Sequence, residues 1–145
     1  MEVEDEILQE FLTESRENLD ALDREFVALE GEPGAKHRIG TIFRAVHTIK
    51  GTAGFLGLQR LESLTHAGEN VLSLLRDDKL TLDAAMTSHL LAMVDGVRAI
   101  LQAVEQRRGE EGFDFAELIR ALNGYLPSQA AFAQRPAAGF VLFDE

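Results

Sequence analysis

Apolar residues recur at steps of three and four positions along most of the chain, which is the spacing of amphipathic helices. Four long helices are predicted from this spacing: one over about residues 3–30, a second over 37–55, a third over 58–77, and a fourth that Thr81 or Asp83 caps and that reaches about Arg108. A short fifth helix is expected from a cap at Asp114 to about Leu126. No stretch before the C-terminus shows the alternation that predicts a strand.

Short segments separate these helices, and glycines mark three of the four breaks. The pattern predicts an all-α fold: an up-and-down antiparallel four-helix bundle with an additional short C-terminal helix. We place the bundle at residues 1–126 and expect a flexible linker or tail over 127–145, where alanine, glutamine, serine and proline are frequent. The tail ends in GFVLFDE, whose four large apolar side chains are typical of a docking segment or of the start of a further region.

The composition narrows the classes of function. The chain has 145 residues, a net charge of −11 and no cysteine, so disulfides and thiolate metal sites are excluded. An acidic protein is not expected to take nucleic acid as its main partner, because phosphate backbones bind basic surfaces. The N-terminus lacks the apolar run of a signal peptide, and no stretch approaches the roughly 20 apolar residues of a membrane span. We therefore expect a cytoplasmic protein without membrane insertion.

The charge is distributed unevenly. Residues 1–32 hold twelve of the 25 acidic residues, whereas residues 33–61 hold no acid, five of the 14 basic residues and two histidines. A locally positive segment in an acidic protein can steer an anionic group or an acidic partner. The alternative is that neighbouring acidic helices simply neutralise it.

One histidine in this segment is placed for chemistry. At about 100° per residue, His47 lies about 110° from the centre of the apolar stripe of the second helix, with Lys50 one turn further on the same side. Imidazole is a neutral nucleophile near pH 7 and a good leaving group afterwards, and a lysine can pair with phosphoryl oxygens. Gly51 and Gly54 leave little side-chain bulk on that flank.

The two glycines require a reason, because glycine within a helix costs about 1 kcal/mol relative to alanine. Close approach of another protein's active site is one reason. Packing between helices, or the nearby helix end, is the alternative, and it accounts for Gly54 more easily than for Gly51.

The third helix offers His66 and Glu69, three residues apart on one side. In an antiparallel helix pair joined near residue 57, His47 and Glu69 lie at similar distances from the turn. The carboxylate could then accept a hydrogen bond from the ring Nδ1–H, fix the tautomer and stabilise positive charge as Nε2 attacks phosphorus. On spacing alone, an ordinary surface contact is the more frequent explanation of such a pair.

Three other functions are weighed against phosphoryl transfer. A non-catalytic helical-bundle interaction module is the main alternative, but it has no need of an exposed His47 flanked by Lys50 and Gly51. A metal site from His47, His66 and Glu69 lacks the ligand spacing of helical metal sites, so no metal is expected. A hydrolase is disfavoured because no nucleophile motif accompanies the histidines.

The segments FRAVHTIKGTAGFLGL (residues 43–58) and LTHAGENVLSLLR (residues 64–76) resemble the histidine phosphotransfer domain of the chemotaxis histidine kinase CheA. The resemblance covers the first four helices, roughly residues 5–107, and is most specific at H-T-I-K-G and H-A-G-E-N. It implies that His47 is the phosphorylated residue and that Lys50, His66 and Glu69 form the network around it.

The resemblance also implies partners. A separate ATP-binding kinase domain would phosphorylate His47, usually in trans within a kinase dimer, and the phosphoryl group would pass to the aspartate of a CheY-like or CheB-like response-regulator receiver. The chain would be a phosphoryl carrier within a protein histidine kinase, without a cofactor of its own. ATP and Mg²⁺ would lie on the kinase domain and Mg²⁺ on the receiver. The expected docking surface surrounds Arg44, Gly51 and Gly54, since an acidic receiver site suits the basic stretch.

Overall fold

The computed structural model describes residues 3–127, and within that range the regular structure is helical throughout. Five helices follow one another: α1 (Val3–Gly31), α2 (Lys36–Phe55), α3 (Gln59–Arg76), α4 (Ala84–Glu105) and α5 (Ala116–Asn123). Helices α1 to α4 pack as an antiparallel bundle, and α5 lies against α3 and α4. The predicted all-α fold is confirmed. The tail expected after residue 127 lies outside the described residues.

Each long helix buries one apolar stripe in a single shared core. The largest fully buried side chains are Leu12, Leu19, Leu22, Ile42, Ile49, Leu61, Leu64, Leu72, Leu90, Met93, Ile100 and Leu101. Burying one such side chain is worth about 1.5–3 kcal/mol, so this core is the main source of stability. Helix α3 approaches α4 closely at Gly68, where an added Cβ would lie 2.1 Å from the Met93 sulfur.

Helix α4 corrects one expectation from the sequence. Its length and composition would allow it to cross a membrane, although no stretch of this kind was expected. However, its buried residues, from Met86 to Val104, belong to the bundle core. A core helix of a four-helix bundle passes the same test of length and hydropathy, and packing accounts for this one.

Two predicted features of α4 can be compared with the structure. Asp83, rather than Thr81, caps its N-terminus, and the Asp83 carboxylate accepts a hydrogen bond of 2.8 Å from the Met86 N–H. The predicted end at Arg108 is wrong, because the helix stops at Glu105. The chain reverses at Arg107, whose φ is +65°, and the next N–H returns to the Ala103 carbonyl. Glycine is the usual residue at such a left-handed helix end, and because position 107 is an arginine, no local pattern marks the end of the helix.

The loop between α4 and α5 holds the start of α3. The Glu110 carboxylate accepts hydrogen bonds from the backbone N–H groups of Arg60 (3.1 Å) and Leu61 (2.8 Å). The Arg60 guanidinium in turn donates to the Glu110 and Phe113 carbonyls at 2.9 and 2.7 Å. A residue from another part of the chain thus caps α3, whose first N–H groups would otherwise lack partners.

The predicted bounds of α5 are also wrong at both ends. Asp114 accepts a hydrogen bond of 3.0 Å from the Ala116 N–H, but Phe115 occupies the cap position and the helix ends at Asn123 rather than at Leu126. The chain is then fixed by Tyr125, whose hydroxyl lies 2.6 Å from His89 Nδ1 on α4. Described structure therefore ends beside the N-terminal half of α4.

Candidate functional site

One carboxylate on α3 joins two functional side chains on α2. Glu69 Oε2 is hydrogen-bonded to His47 Nδ1, and Glu69 Oε1 accepts a hydrogen bond of 2.7 Å from Lys50 Nζ. The Glu69 side chain is 9% exposed, that of Lys50 24% and that of His47 60%. The three groups thus run from the interior to the surface, and the imidazole is at the outer end. The contact between His47 and Glu69 was predicted from their similar distances to the α2–α3 turn.

The protonation of the site follows from this arrangement. Burial acts to raise the pKa of Glu69, but the hydrogen bonds from Lys50 and His47 outweigh it, and the pKa lies below its ordinary value of 4.5. An ionised carboxylate can only accept hydrogen bonds, so Nδ1 of His47 must carry the proton. The lone pair of the neutral ring is therefore on Nε2, the nitrogen that Glu69 does not contact.

The sequence did not identify the aromatic neighbour of the imidazole. The Phe43 ring stacks nearly parallel to the His47 ring, with an interplanar angle of 11° and 5.9 Å between centroids. The Arg76 guanidinium lies 4.3 Å from the Phe43 centroid. The i, i+4 spacing of Phe43 and His47 was the sequence signal that their side chains share a face.

The two glycines on the docking flank differ in their surroundings. A Cβ at Gly54 would lie 2.8 Å from the flexible Glu62 carboxylate, whereas a Cβ at Gly51 would meet nothing within 4 Å. Packing within the described chain therefore gives only a weak reason for Gly54, since the Glu62 carboxylate can move aside, and none for Gly51. The open space over Gly51 is what close approach of a partner requires.

His66 is not part of the hydrogen-bonded group. It is exposed, and within residues 3–127 it makes no hydrogen bond or ion pair. Its implied part in the network stays a prediction. Among the same residues, no three histidine, aspartate or glutamate side chains gather into a group that could hold a metal ion.

The basic stretch is largely neutralised by its neighbours. Three of its five cations pair with carboxylates: Lys36 with Asp78, Arg38 with Glu25 and Glu32, and Lys50 with Glu69. A fourth, Arg60, donates to backbone carbonyls. Arg44 is exposed, donates only to the Thr41 hydroxyl at 3.4 Å, and has no acidic partner in the described part of the chain. The neutralisation alternative is thus right for most of the stretch. Arg44, one turn before His47, is therefore available to contact an anionic group of a partner.

The chain is similar to known phosphotransfer proteins. The family model described as "Hpt domain" matches residues 6–100. The chain is 32% identical to the chemotaxis protein CheA of Treponema pallidum over 86% of its own length and 15% of that relative. It is 34% identical to the sensor histidine kinase CheAY of Helicobacter pylori, over 68% of its length and 12% of the relative. The chain therefore spans less than a fifth of these curated relatives.

Solved structures give the same family. The phosphorylated P1 domain of CheA3, in complex with CheY6 from R. sphaeroides, is 32% identical, with a TM-score of 0.75 over 88% of this chain and 98% of that one. The solution structure of the histidine phosphotransfer domain of CheA is 26% identical, with a TM-score of 0.76 over 83% of this chain and 91% of that one. The fold, the matched residues and the identity agree: the chain belongs to the Hpt domain family and is a histidine phosphotransfer domain of the CheA type.

Proposed function

We propose that His47 is the residue that carries the phosphoryl group, taking it from a separate ATP-binding kinase domain and passing it to a receiver aspartate. The observation that supports this most directly is the contact of Glu69 with Nδ1 of an exposed ring. It leaves Nε2 as the nucleophilic nitrogen on the accessible side of His47. Similarity to a P1 domain solved with CheY6 supports the choice of a response regulator as acceptor.

In the first step, the Nε2 lone pair of His47 attacks the γ-phosphorus of ATP. The new N–P bond forms as the P–O bond to the leaving ADP breaks, and positive charge develops on the ring. Glu69 stabilises that charge through the Nδ1–H hydrogen bond. Lys50 keeps Glu69 ionised, and since an ammonium has three donors, the bond to Glu69 leaves others free for a phosphoryl oxygen.

In the second step, a carboxylate oxygen of the receiver aspartate attacks the same phosphorus. The N–P bond breaks and its electron pair returns to Nε2, which restores the neutral ring. The Nδ1–H···Glu69 hydrogen bond again favours the reaction, because it stabilises the ring in its more cationic, better leaving form. Open space over Gly51 and the free charge of Arg44 suit an acidic active site that must approach within bonding distance.

The partners follow from the same proposal. The donor would be a CheA-type kinase catalytic domain with ATP and Mg²⁺, and the acceptor a CheY-like or CheB-like receiver with Mg²⁺. This chain would supply no cofactor. Since the CheA-type relatives are chemotaxis signalling proteins, we expect it to act in the cytoplasm.

A labelling experiment tests the site. The chain is incubated with a CheA kinase core and ATP labelled on the γ-phosphate, and the labelled chain is then mixed with a receiver. The parent chain should acquire acid-labile label and lose it to the receiver, and ATP alone should give none. His47→Gln should fold normally and acquire no label.

His37→Gln is the matched control, since His37 is also exposed and lies on the same helix three turns away. It should be labelled at the parent rate. Full labelling of His47→Gln, or loss of labelling in both variants, would contradict the assignment of His47.

A further inference from the structure

An open apolar groove lies at the end of the bundle where α1 begins, α2 meets α3, and α4 ends. Its volume is about 680 Å³. The apolar lining includes Ile7, Leu8, Leu56, Leu58 and Val104, with Phe55 at the edge. Phe55 is 74% exposed, an unusual position for a large aromatic side chain. Leu8, Leu56, Leu58 and Val104 also border the core, but neither the core nor phosphoryl transfer accounts for the exposed Phe55.

The rim of the groove is basic. Arg107 and Arg108 border it and are exposed, and the only acid in the lining, Asp5, lies 3.7 Å from Arg107. Arg107 also has a φ of +65°, a conformation that glycine adopts without strain and arginine does not. The rim thus presents two exposed guanidinium groups, those of Arg107 and Arg108, to an acidic segment.

The tail of the chain has the complementary chemistry. Residues 140–143 are Phe-Val-Leu-Phe, and Asp144 and Glu145 follow directly. Four apolar side chains match the lining, and two carboxylates match the two arginines of the rim. The bundle has a second apolar groove, beside Phe26 and Leu82, but Glu30 and Asp83 line it and would repel the acidic end.

The length of chain between the two partners suits an intramolecular contact. The described residues end near His89, because the Tyr125 hydroxyl is hydrogen-bonded to the His89 ring. From there to Val104 is about 22 Å along α4, at 1.5 Å per residue. A coil of twelve residues, the length of 128–139, has an r.m.s. span of about 20 Å and an extended reach of about 40 Å. The effective concentration of the tail segment at the groove is highest when the r.m.s. span of the connecting coil matches the distance to be bridged. It then reaches the millimolar range.

We infer that residues 140–145 dock in cis into this groove, with the apolar side chains against Phe55, Leu56 and Val104 and the acidic end on Arg107 and Arg108. At millimolar effective concentration, even an intrinsically weak contact is substantially occupied. The inference is independent of His47 chemistry, so either one can fail without the other.

A spin label tests the docking in the full chain. The chain has no cysteine, so Gly139→Cys gives a single nitroxide site beside the segment. Broadening of the amide resonances of residues 55–58 and 104–109, unchanged on tenfold dilution, is the expected result. Adding Leu142→Asp and Phe143→Asp should abolish it. Absence of broadening, broadening at the Phe26 groove, or broadening that disappears on dilution, as for a second copy, would each overturn the proposal.

Arg107→Gly distinguishes the effect of the Arg107 charge on docking from the effect of its backbone conformation on stability. It relieves the positive φ, so the melting temperature should be preserved or raised, while docking weakens about two- to fivefold, the range for an exposed ion pair. Asp78→Gly is the matched control, because Asp78 also has a positive φ (+62°) but lies at the end of α3, at the opposite end of the bundle. It should leave the broadening unchanged. Equal broadening in Arg107→Gly and the parent would overturn the part of the proposal that assigns Arg107.

Discussion

Glu69→Gln removes the negative charge from the site and keeps its shape. In the parent, the carboxylate holds the proton on His47 Nδ1 and accepts the Lys50 hydrogen bond of 2.7 Å. An amide can donate as well as accept, so it no longer dictates which ring nitrogen carries the proton. It also offers no charge to the cation that forms as Nε2 attacks. The variant should therefore be phosphorylated more slowly with little change in fold.

The size of the effect can be worked from the contact. A hydrogen bond to a charged group is worth about 1.5–3 kcal/mol, and the bond to His47 strengthens as the ring becomes cationic. At 1.36 kcal/mol per tenfold change in rate, its loss slows phosphorylation by about 10- to 150-fold. The effect should fall on kcat, because the substrate does not touch Glu69 directly.

The stability of Glu69→Gln should be affected less severely than its phosphorylation rate. Lys50 loses its charged partner, but it is 24% exposed and can recover hydrogen bonds from water. We expect a cost of about 1–2 kcal/mol in the free energy of unfolding, or about 3–6 °C in melting temperature. Initial rates with a kinase core, taken well below that temperature, separate this loss from the chemical one. A rate within twofold of the parent would refute the assigned role of the carboxylate.

The same carboxylate makes stability depend on pH in a defined direction. Because the pKa of Glu69 is lower in the folded chain than its ordinary value of 4.5, its contribution is complete above that value. The contribution is lost as the pH falls below about 4.5 and through the lower folded value. The stability difference between the parent and Glu69→Gln should therefore narrow on acidification. Denaturant unfolding at pH 7 and pH 3 measures it, and a difference that widens would contradict the ion-pair explanation.

Three further substitutions test other parts of the structure. Gly51→Ala should raise the free energy of unfolding by up to about 1 kcal/mol, because its Cβ meets nothing, yet slow transfer to a receiver; unchanged transfer would show that the space over α2 is not used. Gly68→Ala should lower the free energy of unfolding by about 1–3 kcal/mol, since its Cβ would overlap Met93. A melting temperature equal to that of the parent would show that α4 simply moves aside. Glu110→Ala should cost about 1–2 kcal/mol through loss of the α3 cap, with loss of amide protection at residues 60 and 61; unaltered protection there would mean that water replaces the carboxylate.

The sequence predicts the helices and the centre of the site because both depend on short-range rules. The 3.6-residue period fixes which side chains face the core, and a tight turn near residue 57 fixes the height of Glu69 relative to His47. Two helices joined by a short turn are almost forced to be antiparallel neighbours, so counting residues from the turn was enough.

The features that the sequence did not predict depend on contacts between distant parts of the chain or on unusual backbone. The bond between Glu110 and the start of α3 joins residues 50 positions apart, and no local pattern records it. The end of α4 was misplaced because Arg107 takes a conformation that glycine normally marks. The pairing of Lys50 with Glu69 was also unforeseen, since a lysine beside a histidine fits a phosphate contact equally well.

The contact between Gly68 and Met93 has a consequence for how the domain responds to change elsewhere. Gly68, the residue next to Glu69, packs directly against the core side chain of Met93 on α4. The packing of the core therefore helps to set the position of the carboxylate that orients the imidazole. Helix α4 touches neither kinase nor receiver in the proposed mechanism, yet substitutions along its inward face would shift that acid relative to α2. Variants that exchange phosphate poorly but bind their partners normally should therefore be found in the hydrophobic interior as well as on the reactive face.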